Sequence, residues 1–185
     1  MKDKLLADLD RKMNKAIEVL EHEFVGLRTG RANPALIADL EVEYYGSAVP
    51  LKQVAGLSVL EGRTILVQPW DAGSISDIEK AILKSNLGLV PGNDGKVIRV
   101  PVPPLSDERR RELDKVVKHM AEEARVAIRN VRRDVREHLK KFQKDGQISE
   151  DDERRLEHEM QKATDDFVKR VDELLANKER EILEE

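Results

Sequence analysis

The chain reads as an α+β protein, an elongated antiparallel three-helix bundle with a small α+β domain inserted into it. Three observations lead there. The 185 residues are 38% charged, 39% hydrophobic and only 3% aromatic, a mixture that favours long amphipathic helices over a broad sheet core. Charge is unevenly spread: residues 31–104 hold seven basic and eight acidic residues among 74, with most of the glycines and all of the prolines. The other 111 residues hold 26 basic and 29 acidic ones. In those outer segments apolar residues recur at steps of three and four, the period of one buried helix face. The expected division is therefore a bundle from 1–30 and 105–185 around an inserted domain at 31–104.

The elements follow in order. Leu6, Leu9, Met13, Ile17, Leu20, Phe24 and Leu27 define the first helix. In the inserted block Leu40–Tyr45, Leu57–Leu60, Arg63–Val67 and Lys96–Val102 read as strands, separated by Gly46, Gly62 and the Pro91–Gly95 turn. Asn33-Pro34 has the form of a short helix start. Ser76-Asp77-Ile78-Glu79 has the form of a capping box, with Gly88 expected to end the helix it opens. Ser106, ahead of Asp107-Glu108, caps a second long helix whose apolar residues are Leu113, Val117, Met120, Ala124, Ile128, Val131, Val135 and Phe142. Asp145-Gly146 ends it. Ser149 then opens a third helix, carrying Leu156, Met160, Ala163, Phe167, Val171, Leu174 and Ile182. The second helix spans roughly 38 residues, about 57 Å at about 1.5 Å per residue, too long to leave its stripe uncovered.

Composition narrows function. With no cysteine there are no disulfides, thiolate metal sites or cysteine nucleophiles, as suits a reducing compartment. The start at Met1 lacks a signal-like apolar run and meets acidic residues early, and no stretch approaches a membrane span, so a cytoplasmic protein is expected. His22, His119, His138 and His158 are too far apart for a zinc-protease pair. The residues three before them, Val19, Val116, Val135 and Arg155, exclude a di-iron motif. Gly88–Gly95 lacks a phosphate-clamping Lys-Ser/Thr and reads as a surface turn. Asp151-Asp152 meets a helix start, where dipole compensation accounts for it. Trp70 and Tyr44-Tyr45 are read as packing residues. No catalytic constellation remains, so no enzyme, cofactor or metal is expected.

One feature carries chemistry. The segment from Arg125 to Arg136, followed by Lys140-Lys141, holds Arg125, Arg129, Arg132, Arg133 and Arg136. Relative to Ala124, at about 100° per residue, Met120, Ile128, Val131 and Val135 fall within about 40°, whereas Arg125, Arg129, Arg132, Arg136 and Lys140 lie between roughly 80° and 160°. Asp134 and Glu137 lie on the opposite flank. A solvated face normally interleaves opposite charges at i, i+4, whereas this one repeats positive charge at that spacing. It also uses Arg over Lys, and the planar guanidinium suits bidentate phosphate contact. Net charge is −4, so polyanion binding has to be local. Such a stripe grips RNA phosphates by Coulomb attraction and counterion release, with little sequence readout. Arg28 and Arg31 could extend it. The alternative is a bundle adaptor that binds acidic protein partners or self-associates. The crossings at Thr29-Gly30-Arg31 and Pro101–Leu105 form a hinge between bodies, with a rigid elbow as the competing reading.

The chain also resembles the bacterial ribosome recycling factor family. The similar segments are Arg28-Thr-Gly-Arg-Ala-Asn-Pro34, Val42-Glu-Tyr-Tyr-Gly46, Leu87-Gly-Leu, Ile98-Arg-Val-Pro-Val-Pro-Pro-Leu105, Glu108-Arg-Arg, Ala127-Ile-Arg-Asn-Val-Arg-Arg-Asp134 and Ile148-Ser-Glu-Asp-Asp152. They span the chain and are specific together. The resemblance implies an L-shaped molecule, a three-helix bundle carrying an inserted β/α/β domain on a flexible hinge. It implies binding to the large ribosomal subunit across the aminoacyl and peptidyl sites, and subunit splitting after termination with elongation factor G, which hydrolyses the GTP. The factor itself hydrolyses nothing, touches no membrane and is expected to be a monomer. By motif, Arg132 and Arg129 are the first expected RNA contacts, then Arg28 and Arg31. Gly30, Arg31, Pro103, Pro104 and Leu105 map to the hinge.

Overall fold

A computed structural model describes residues 2–183. It divides into two compact units. One comprises the chain up to Phe24 with Glu112–Arg180; the other is Val25–Arg111 with the chain from Glu181.

The first unit is built on three helices, α1 (Lys2–Val25), α3 (Asp107–Lys144) and α4 (Glu150–Leu183). Their ends follow the expected chemistry. Ser106 Oγ accepts the Arg109 amide at 3.1 Å and Ser149 Oγ accepts the Asp152 amide at 3.1 Å, each satisfying a donor that the first helical turn leaves open. At the far end of α3, Gly146 adopts φ 74. This lets the Gly146 amide reach the Gln143 carbonyl at 3.0 Å and the Gln147 amide reach Phe142 at 2.9 Å, the paired bonds of a Schellman ending.

Leu9, Met13, Ile17, Leu20 and Phe24 of α1 are buried, as are Leu113, Val117, Ala124, Ile128 and Val135 of α3 and Leu156, Met160, Phe167 and Val171 of α4. Ala121, Leu139 and Thr164 join them. Thr164 resolves its burial by donating its hydroxyl to the Met160 carbonyl at 2.7 Å. Met120, Val131 and Phe142 sit half-buried at the edge of the stripe. Side-chain pairs fix the helix directions. Arg125 meets Asp172, Arg132 meets Gln161 and Arg136 meets Glu157, so α4 runs against α3. Lys2 meets Asp152 and Asn14 meets Arg170, so α1 runs with α4.

The second unit holds a hairpin and a four-stranded antiparallel sheet. Strands β1 (Glu41–Tyr44) and β2 (Ser47–Pro50) form the hairpin; β3 (Ala55–Leu60), β4 (Thr64–Pro69), β5 (Gly92–Asn93) and β6 (Ile98–Pro101) form the sheet in the order β3-β4-β6-β5. The four expected strands are present with shifted ends. Strands β2 and β5 were not expected: β2 is short and has no buried residue, β5 has two residues, and each exists through its partner rather than any pattern of its own. Pro34–Leu36 forms the expected helical turn, with the Asn33 side chain accepting the Ala35 amide at 3.0 Å.

Helix α2 (Ile75–Lys84) departs from expectation at both ends. Ser76 does not cap it. A 3-10 turn at Ala72–Ser74 precedes it, capped by Asp71, whose carboxylate takes the Gly73 amide at 2.9 Å. Nor does Gly88 end it: Ser85 is the last half-helical residue and Asn86 makes the left-handed step at φ 59. Ile78 and Ile82 of α2, Val42 of β1, Ile65 and Val67 of β4 and Ile98 and Val100 of β6 form this unit's own core. Each fully buried isoleucine contributes on the order of 1.5–3 kcal/mol.

Candidate nucleic-acid interface

The stripe on α3 begins one position after each core residue. Arg125 follows Ala124, Arg129 follows Ile128, Arg132 follows Val131 and Arg136 follows Val135. At about 100° per residue this sets every guanidinium on the same shoulder of the buried face. Helix α4 repeats the rule in reverse polarity. Glu157 follows Leu156, Gln161 follows Met160 and Asp172 follows Val171. Two antiparallel helices packed by their apolar stripes bring these shoulders together, and the stripe thus lies along a seam with α4.

The arginines differ in what the seam demands of them. Arg125 is committed to the fold. Its guanidinium bonds Asp172 at 2.6 Å and 3.0 Å and Glu122 at 3.1 Å, and its side chain is 18% exposed. Burial works against its charge, but the two carboxylates outweigh that and hold its pKa above the usual value. Arg129 reaches Glu122 at a long 3.4 Å. Arg132 is half-buried and donates through Nη1 to Gln161 Oε1 at 2.9 Å, while its Nε is buried without an acceptor. Gln161 is itself held by donating to Asp165 at 2.8 Å. Arg136 donates through Nε to Glu157 at 3.2 Å with its side chain 49% exposed. Arg133 and Lys140 are exposed and have no partner among the described residues.

The stripe is therefore less bare than its i, i+4 spacing implies. Opposite charge is supplied across the seam by Asp172 and Glu157 as well as along the helix by Glu122, so the like charges do not simply repel. These contacts orient the guanidiniums of Arg132 and Arg136 while leaving terminal donors open. Sequence reasoning missed the α4 side of the site, namely Glu157, Gln161, Asp172 and the exposed Arg154. For Glu157, Gln161 and Asp172 the signal was available in their position just after core residues; Arg154, which follows Glu153, carries no such signal.

The remaining expected residues lie in the second unit. Arg28 is half-buried in the bend after α1 and Arg31 is exposed. Gly30 is buried with φ 88, backbone that an L side chain adopts only under strain. Pro103 and Pro104 are exposed and Leu105 is buried. Tyr45 is 82% and Trp70 70% exposed, so neither is a core residue; the Tyr45 hydroxyl donates to Asp71. Among the described residues no group of His, Asp or Glu is arranged to hold a metal ion, and no helix is long and apolar enough to cross a membrane.

Comparison with known proteins gives this geometry a context. Residues 20–183 match the family model described as ribosome recycling factor. A ribosome-recycling factor of Halalkalibacterium halodurans is 53% identical over 184 residues, covering 100% of both chains. One from Rubrobacter xylanophilus is 52% identical over 179 residues, covering 97% of this chain and 96% of its own. A solution structure of the ribosome recycling factor superposes with a TM-score of 0.82 at 42% identity, covering 100% of this chain and 98% of that one. A second solved structure has a TM-score of 0.70 at 49% identity and covers 99% of each chain. It presents the T. thermophilus ribosome recycling factor and the E. coli elongation factor G bound to the E. coli post-termination complex.

Proposed function

Because the chain belongs to the ribosome recycling factor family, we propose that it binds the post-termination ribosome and, with elongation factor G and GTP, separates it into subunits. The kinship runs the full length of the chain, and a solved relative is described together with elongation factor G on the post-termination complex. The carrying observation within the molecule is the α3 shoulder of oriented arginines on a chain of net charge −4.

The family is a non-enzymatic group of translation factors, and this chain works the same way: it hydrolyses nothing, and the GTPase supplies the chemistry. Its part is to bind in the cytoplasm as a rigid helical body across the aminoacyl and peptidyl sites of the large subunit. Arg132, Arg129, Arg133 and Arg136 grip ribosomal RNA phosphates, with Arg28 and Arg31 extending the contact. Arg125 serves mainly by locking α3 to α4, since its donors are already engaged. Gly30, Arg31 and Pro103–Leu105 form the connection at which one body swings. Backbone contacts of this kind read helical shape and charge, not sequence.

Arg132→Gly tests the reading. Its affinity for large subunits should fall by about tenfold or more, since a hydrogen bond to a charged group is worth about 1.5–3 kcal/mol, while circular dichroism shows unchanged helicity. Light scattering should show wild-type chain splitting post-termination ribosomes only with elongation factor G and GTP. Normal ribosome affinity in the variant, or no splitting by the wild type, would refute the assignment.

A further inference from the structure

Given that the bundle binds large-subunit RNA as proposed above, we propose further that the groove between α3 and α4 is a socket for one RNA backbone phosphate, with Arg154 of α4 as its third guanidinium. The groove has a volume of about 400 Å³ and is lined by Arg132 and Arg136 from α3 and by Arg154, Glu157, His158 and Gln161 from α4. It lies on the same seam that orients the stripe.

The charge count favours an anion. Three guanidiniums face one carboxylate, leaving about two positive charges in a partly enclosed space, on a molecule whose overall charge would repel RNA. The lining is also oriented beforehand. Gln161, anchored on Asp165, holds Arg132 through Nη1, and Glu157 holds Arg136 through Nε. Both arginines keep their remaining terminal nitrogens without a partner among the described residues. Holding Arg136 through Nε leaves its Nη1–Nη2 edge to present a fork to a phosphate, while Arg132, whose Nε is buried, offers its remaining terminal hydrogens, in both cases with little further loss of freedom. Arg154 is exposed and has no partner among the described residues. Its neighbour Arg155 is different, being paired with Asp152 at 3.1 Å and absent from the groove.

Chemically, the socket accepts a phosphodiester bridging two helices of the bundle. Glu157 and Gln161 are positioning residues: they touch no phosphate and act through the arginines they hold. The reach of the RNA contact onto α4 is what the α3 stripe alone does not imply.

The deciding experiment titrates the full chain against large ribosomal subunits over a series of KCl concentrations. Arg154→Ala is compared with Arg155→Ala, which removes the same charge one residue away. Arg154→Ala should weaken binding by about tenfold. It should also reduce the slope of log affinity against log salt by about one, the signature of one lost phosphate contact. Arg155→Ala should match the wild type in both. A wild-type salt slope for Arg154→Ala, or equal losses in the two variants, overturns the socket. Failure of the two readings is separable: normal binding by Arg132→Gly refutes the RNA-facing bundle itself, whereas loss there with an intact Arg154→Ala refutes only the socket.

Discussion

Individual side chains in this molecule divide by how far the fold has already claimed them. Arg125 and Arg133 belong to the same arginine-rich segment of α3, yet the first is engaged by two carboxylates and the second faces solvent. Neighbouring arginines of identical charge therefore contribute differently, one to packing and one to binding. Asp94 is a similarly claimed residue in the inserted domain. Its carboxylate accepts the Val97 amide at 2.9 Å, the Lys96 amide at 3.0 Å and Arg99 at 3.2 Å. The Val97 and Lys96 bonds, then Arg99, hold its pKa down to about 2. A carboxyl depressed in the folded state stabilises the fold above its unfolded pKa and loses that contribution as pH falls through the folded value. The window here runs from about pH 4 down to about pH 2. In thermal melts across this range, Asp94→Asn should be less stable than wild type near neutrality, with the gap closing on acidification. A gap independent of pH would show that the Asp94 charge does not matter.

At the level of elements, the helices are specified by their ends and by one apolar stripe each. Ser106 shows what an end contributes, since its hydroxyl takes the Arg109 amide in the first turn of the 38-residue α3. Ser106→Ala should cost about 1 kcal/mol, the ordinary worth of such a cap. Urea unfolding should register it as a lowered midpoint with an unchanged slope, and ribosome affinity should stay at the wild-type value. An unshifted midpoint would mean that neighbouring groups already satisfy the open amides. Helix α2 shows the limit of reading ends locally. Ser76 and Glu79 have the spacing of a capping box, but Asp71 starts a 3-10 turn earlier and carries the chain into the helix from there. A capping signature competes with its neighbours, and the residue that meets the open amides first prevails. The short strands follow the same logic. β5 is two residues long and holds only because β6 offers its edge.

For the whole molecule, the inserted domain carries its own core, and all of that core's buried residues lie between Leu36 and Val102. We propose that residues 31–104 form an autonomous folding unit. An excised fragment of those residues should unfold cooperatively and keep its β content by circular dichroism. The bundle with the insert replaced by a short Gly/Ser linker should keep its helicity. A fragment without a cooperative transition would instead make the insert dependent on the bundle. Read by itself, the amino-acid sequence determined the three long helices, their caps, the inserted domain's main strands and the one-sided arginine stripe. These follow from periodicity, capping chemistry and charge placement within a few residues of one another. The family segments were legible for the same reason, as linear strings. Tertiary structure alone decided which arginines are engaged and which remain open, because their partners on α4 lie 21 to 47 residues away along the chain. It also decided β2, β5 and the true start of α2, where pairing with a distant segment or a stronger neighbouring cap outweighs the local pattern. A helix sequence shows which side chains leave a given shoulder, but only packing shows what stands opposite.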